Sequence, residues 1–109
     1  MTTVNTQNFG ELHLKSAREL KAGLDAGEYT SLDLTNYFLS RIEGLDGQIN
    51  ACNFVCADSA RAAAKVCDAN GPNDESKMLP LHGLPMAHKD ILVSVDSPTT
   101  AGSRMLEGY

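Results

Sequence analysis

Leu81-His82-Gly83-Leu84-Pro85-Met86-Ala87-His88-Lys89-Asp90-Ile91-Leu92-Val93 changes the character of the chain: it is an apolar run with a charged pair set inside it. Such a run reads as a buried strand that emerges into a loop at Lys89-Asp90. Most lysines are solvated cations and do no chemistry. Lys89 stands apart because strand ends beside loops are common places for catalytic groups. A lysine drawn into a low-dielectric site loses its charge readily and can then act as a base. Asp90 reads as a local ion-pair partner for it. His88 reads as a packing or hydrogen-bonding residue, and His82 enters the run with no partner nearby in sequence.

Downstream, Ser97-Pro98-Thr99-Thr100-Ala101-Gly102-Ser103 is a turn-rich loop. Thr99, Thr100 and Ser103 suit a turn held by side-chain hydrogen bonds, with lining a substrate channel as the alternative. Arg104 to Tyr109 begins a further element. Upstream, residues 70–80 form a polar loop, and Asn70-Gly71-Pro72 stops a helix expected over 58–69. Asp58 is its expected cap. Ala60, Ala63, Ala64 and Cys67 share one face, small enough for close packing on a sheet or a neighbouring helix. Asn53-Phe54-Val55-Cys56 reads as a short strand. The clearest helix spans 31–45, where Leu34, Tyr37, Phe38, Ile42 and Leu45 make an apolar stripe. Thr30 or Ser31 can cap it, Asp33 favours its first turn, and Gly44 and Gly47 weaken its end. A further helix is expected over 11–25, with Leu14, Ala17, Leu20 and Leu24 on one face and Gly27 ending it.

The chain has 109 residues, a net charge of −5 and 42% apolar residues, which suits one small globular domain. An acidic balance argues against a module that neutralises phosphates, so direct nucleic-acid binding is not expected. The N-terminal residues are polar, and no apolar stretch approaches the ~18 residues of a membrane span. A cytoplasmic location is the simplest expectation. Cys52, Cys56 and Cys67 are odd in number, which suits small buried thiols better than a disulfide scaffold. Cys52, Cys56, His82 and His88 could supply four zinc ligands, but the pairs lack finger-like spacing. No metal is expected.

The residues from Leu81 to Asp90, followed by Thr99-Thr100-Ala101-Gly102-Ser103-Arg104-Met105-Leu106, resemble the start of the amidase signature family. The pattern there is G-hydrophobic-P, a short apolar stretch, K-D, then T-T-x-x-S. The A-H-K-D form is most similar to the tRNA-dependent branch, the A subunits of the glutamyl-tRNA(Gln)/aspartyl-tRNA(Asn) amidotransferases. Glu28-Tyr29-Thr30-Ser31-Leu32-Asp33-Leu34, Arg41-Ile42 and Ile49-Asn50-Ala51 sit where that branch has its G-E-x-(T/S)-S-x-E-L, R-I and I-N-A segments. The resemblance runs from about residue 11 to residue 109.

The resemblance implies an α/β fold: helices followed by the first strands of a mixed sheet, an incomplete N-terminal part of the amidase signature fold. Residues 1–109 would then be the N-terminal portion of one amidase signature domain, with no second domain. It also implies a Ser–cis-Ser–Lys mechanism on glutamine, with Lys89 as the base and ammonia delivered to mischarged tRNA. The partners implied are amidotransferase subunits B and C in a heterotrimer, with tRNA reached through the complex. No cofactor is implied in this chain, since ATP is used elsewhere in such a complex. The family's Gly- and Ser-rich signature, with both serines and the oxyanion hole, lies further downstream. Ser94, Ser97 and Ser103 do not stand in its context and receive no role from it. The chain alone is therefore expected to be an inactive N-terminal piece. A piece of another amidase acting on small amides, or a non-catalytic interaction remnant, are the alternatives.

Overall fold

A computed structural model describes residues 11–69, 79–89, 92 and 99–106. Its described helices are α1 (Ala17–Ala26), α2 (Ser31–Ile49) and α3 (Ala57–Ala69), with 3-10 turns at Leu12–Leu14 and Arg104–Leu106. The described residues contain no strand. The sheet half of the expected α/β fold is therefore not seen in them.

Local chemistry sets each helix boundary. The helix expected over 11–25 begins only at Ala17, because Ser16 and Glu19 form a reciprocal capping box. Ser16 Oγ accepts from the Glu19 amide, and a Glu19 carboxylate oxygen accepts from the Ser16 amide. Those hydrogen bonds, the backbone one foremost, hold the Glu19 carboxyl below its ordinary value. The residues before it form the 3-10 turn, which leaves Leu14 exposed rather than on the expected apolar face. Gly27 ends α1 as expected, at φ +77°, a left-handed conformation that glycine adopts freely.

Thr30 caps α2, with Asp33 completing a second capping box. α2 runs on to Ile49, past both glycines expected to weaken it. Its end is fixed by Asp46 and Asn50 instead. Asn50 takes φ +55°, and the Asp46 carboxylate accepts from the Ala51 amide at 2.7 Å and the Cys52 amide at 3.2 Å. α3 begins one residue earlier than expected, so Asp58 lies inside its first turn and is not the cap.

Two expected strands are corrected. Asn53 to Cys56 forms an irregular link with Phe54 and Val55 exposed. Leu79 to Gly83 forms a turn, and residues 84–89 continue without regular structure. A strand needs a neighbour for its backbone donors and acceptors, and none lies beside either segment among the described residues.

The core joins Leu12, Leu20, Tyr29, Leu34 and Tyr37, with Leu24, Phe38 and Leu84 packed against it. The apolar stripe of α2 thus divides: Leu34 and Tyr37 are buried, while Leu45 is exposed. His13 Nδ1 lies 2.8 Å from the Tyr37 hydroxyl. Tyr29 donates its hydroxyl to the Leu20 carbonyl at 2.9 Å. Burial, aided by the nearby Glu28 charge, pushes the Tyr29 phenol above its ordinary value, which keeps it a donor.

Gly23 is buried under the Tyr29 ring, and a methyl group there would overlap it. Gly23→Ala therefore sets helix propensity against packing. Alanine gains about 1 kcal/mol as a helix former. Forcing a methyl into the buried Tyr29 ring is overpacking, and the overlap here puts its cost near the upper end of the usual range, about 3 kcal/mol. Packing wins, and the variant should lose about 2 kcal/mol, read as a lower urea midpoint at unchanged slope. An unchanged or higher midpoint would show that the ring yields without loss.

Candidate functional site

The segment that carries Lys89 is pinned to the helices at its upstream end. Gly83 takes φ +83°, and a Cβ there would sit 3.3 Å from Leu24 Cδ1. The glycine therefore serves both its backbone conformation and its close approach to α1. Ser31 Oγ donates to the Gly83 carbonyl at 2.7 Å. Leu84, the next residue, packs onto the core. Pro85 then restricts the backbone as the segment leaves the helices.

Ser31 is available for this bond because of a division of labour at the start of α2. Thr30 supplies the side-chain cap, and the buried Ser31 hydroxyl is left to reach across to Gly83. Asp68, near the end of α3, accepts from the Ser31 amide at 2.8 Å and the Leu32 amide at 3.0 Å. A carboxylate at a helix N-terminus satisfies free amides and meets the positive end of the helix dipole. Asp68 thus locks α3 to α2, and α2 holds the Lys89 segment.

The downstream side is tied as well. The Leu92 amide donates to the Lys89 carbonyl at 3.0 Å, closing a turn that has Lys89 at its first position. The buried Thr99 donates its hydroxyl to the Leu92 carbonyl at 3.3 Å. The Thr99–Ser103 turn forms largely as expected. The Ser103 amide donates to the Thr100 carbonyl at 2.8 Å, and Thr100 Oγ1 accepts from the Gly102 amide at 3.3 Å. Ser103 Oγ accepts from the Met105 amide at 3.2 Å. The two separated parts of the pattern therefore meet through Leu92.

Lys89 itself is exposed, as are Met86, Ala87 and His88 beside it. This corrects the expectation of a sheltered lysine and of His88 as a packing residue. No described residue pairs with the Lys89 ammonium. Nothing among the described residues excludes water from the ammonium, so they do not by themselves favour its neutral form. Asp90, Ser94 and Ser97 lie outside the described residues.

A cavity of about 210 Å³ opens between α1, the start of α2 and the turn at His82-Gly83. Asp25, Tyr29, Cys67, Asp68 and His82 line it, and Lys89 does not. His82 Nε2 is buried there with no hydrogen-bond partner. The cysteines are free and half-buried rather than fully buried. Among the described residues no three His, Cys, Asp or Glu side chains gather as metal ligands. None of the described helices is long and apolar enough to cross a membrane.

Sequence reasoning singled out Lys89 and missed Asp68, which gave no local signal because its partners lie 37 and 36 residues away. Ser31 was visible only as a rival cap to Thr30, although a Thr-Ser pair at a helix start always leaves one hydroxyl to spare.

Comparison with known proteins gives the chain a family. A family profile described as Amidase matches residues 33–109. The chain is 46% identical over 99 residues to the A subunit of the glutamyl-tRNA(Gln) amidotransferase of Anaeromyxobacter dehalogenans, covering 91% of this chain and 20% of that protein. It is 44% identical over 99 residues to the corresponding protein of Thermobifida fusca, with the same coverage. For that of Thioalkalivibrio sulfidiphilus the identity is 44% over 98 residues, covering 90% of this chain and 20% of that one. The chain thus spans a fifth of the length of these curated relatives. No solved structure matches it.

Proposed function

We propose, because this chain belongs to the amidase family, that it forms the first part of the A subunit of an amidotransferase and carries the base of its glutaminase site. The observation that supports this reading most is the Lys89 turn, tied through Leu92 to Thr99. In this reading Lys89 takes a proton from a relay serine. That serine takes it from the nucleophilic serine, which attacks the amide carbon of glutamine. The proton returns through the relay to the amide nitrogen, so ammonia leaves an acyl-serine that water then hydrolyses to glutamate, and the ammonia is passed to Glu-tRNA(Gln) or Asp-tRNA(Asn). Both serines and the oxyanion donors come from sequence beyond these residues. Subunits B and C complete a cytoplasmic heterotrimer that binds the tRNA and uses ATP, and this stretch contacts neither. The names of the relatives support the tRNA-dependent branch over amidases of small amides.

The test is a graft. Residues 1–109 replace the matching first fifth of the relative from Anaeromyxobacter dehalogenans, and the hybrid is co-expressed with that organism's B and C subunits. The graft should co-purify with both partners, release ammonia from glutamine and transamidate Glu-tRNA(Gln). A graft that assembles but hydrolyses only small amides would assign the segment to another amidase. One that assembles and hydrolyses nothing would leave it a non-catalytic module.

A further inference from the structure

We infer that Ser31 and Thr99 are positioning residues that bracket Lys89 by two hydroxyl-to-carbonyl tethers; this rests on the reading of Lys89 as the base. The Ser31 tether ends on Gly83, and the Thr99 tether ends on Leu92. Gly83 stands six residues before Lys89 and Leu92 three after it. Between them the chain has no helix or strand to fix it among the described residues, and the Lys89 side chain is in solvent. The turn bond from the Leu92 amide to the Lys89 carbonyl is the short-range link that passes the Thr99 constraint to Lys89.

Both hydroxyls are spent on these contacts in buried surroundings, where a carbonyl left without its donor is costly. Neither is needed for its own local structure. Thr30 already caps α2, and the turn after Thr99 is closed by Thr100 and Ser103. What the two hydroxyls have in common is the Lys89 segment. A base works only when held in reach of the proton it accepts, and a displacement of about 1 Å can cost about 100-fold in rate.

Two measurements test this. The first uses the chain itself and does not depend on its activity. Backbone order parameters at Lys89 and Leu92 should fall from about 0.8 to below about 0.6 in Ser31→Ala and in Thr99→Val, while Leu20 in α1 stays unchanged. Unchanged values at Lys89 overturn the tethers, whatever the enzyme does. The second uses the graft in complex with its partners. Ser31→Ala and Thr99→Val should each lower glutaminase kcat by about 10-fold at unchanged KM for glutamine. Thr99→Ser, which keeps the hydroxyl, should stay within about twofold of the parent. Ser16→Ala removes the cap of α1 and so lowers stability at a distance from Lys89. It should leave kcat unchanged, and an equal loss of kcat there would make the effect mere destabilisation. An active parent with unaffected tether variants overturns the positioning alone. An inactive parent overturns the amidotransferase reading, and the order parameters then decide the tethers.

Discussion

Given glutamine, the chain alone should release ammonia no faster than its Lys89→Ala variant. The reason lies in where its hydroxyls are committed. Among the described residues, Ser16 caps α1, Ser31 donates to Gly83, Ser59 donates to the Cys56 carbonyl and Ser103 accepts from the Met105 amide. None of these is paired with a base that could take its proton, and the exposed Ser40 on α2 has no described base paired with it either. A base without a nucleophile does not cleave an amide: removing the nucleophile of a serine hydrolase costs on the order of 10⁶ in turnover. Loss of an oxyanion donor costs about 10² by itself. Groups that act as a unit do not contribute independently, so the factors do not multiply; the first loss alone takes turnover below the reach of the control. The measurement is ammonia release over days at saturating glutamine, with Lys89→Ala as control. Release above that control would mean a nucleophile is present in these residues, and the division of the site between this stretch and later sequence would be wrong.

The legible part of this protein was its local chemistry. Thr30 and Gly27 mark helix ends because each acts on backbone groups within a few residues of itself, whereas the Ser16 cap that starts α1 went unread and the helix was expected from residue 11. The Thr99–Ser103 turn was legible for the same reason. What failed was long-range. Phe54-Val55 and the Leu81–Lys89 segment have strand-like residues, but a strand is a pairing and sequence does not show the partner. α2 outlasted Gly44 and Gly47 because Asp46 and Asn50 hold its end against a glycine cost of about 1 kcal/mol per residue. Lys89 was singled out through its pattern, and the expected shelter around it was not met. The contacts that hold its segment, Asp68 to α2 and Ser31 to Gly83, join residues 36 to 52 apart and left no trace in the local sequence.

In the graft, Lys89→Ala and Lys89→Arg should both assemble normally and both lose glutaminase turnover by at least ~10². Normal assembly is expected because no described residue pairs with the Lys89 ammonium, so neither substitution removes a contact that holds this stretch together. Loss of turnover follows from the proton. The relay needs a group that can be neutral when the serine attacks and positive afterwards. Lysine can be brought to that condition by chain that excludes water from it. Arginine cannot, since its guanidinium stays protonated at any working pH. The two substitutions therefore separate two roles. If Lys89 only contributes positive charge, Arg should retain most of the turnover and Ala should lose it. If Lys89 is the base, Arg should be as poor as Ala, and neither should change KM for glutamine much, because the proton moves in the transition state rather than on binding. Near-normal turnover in Lys89→Arg would leave Lys89 a structural cation, and the base would have to be sought among residues outside this stretch.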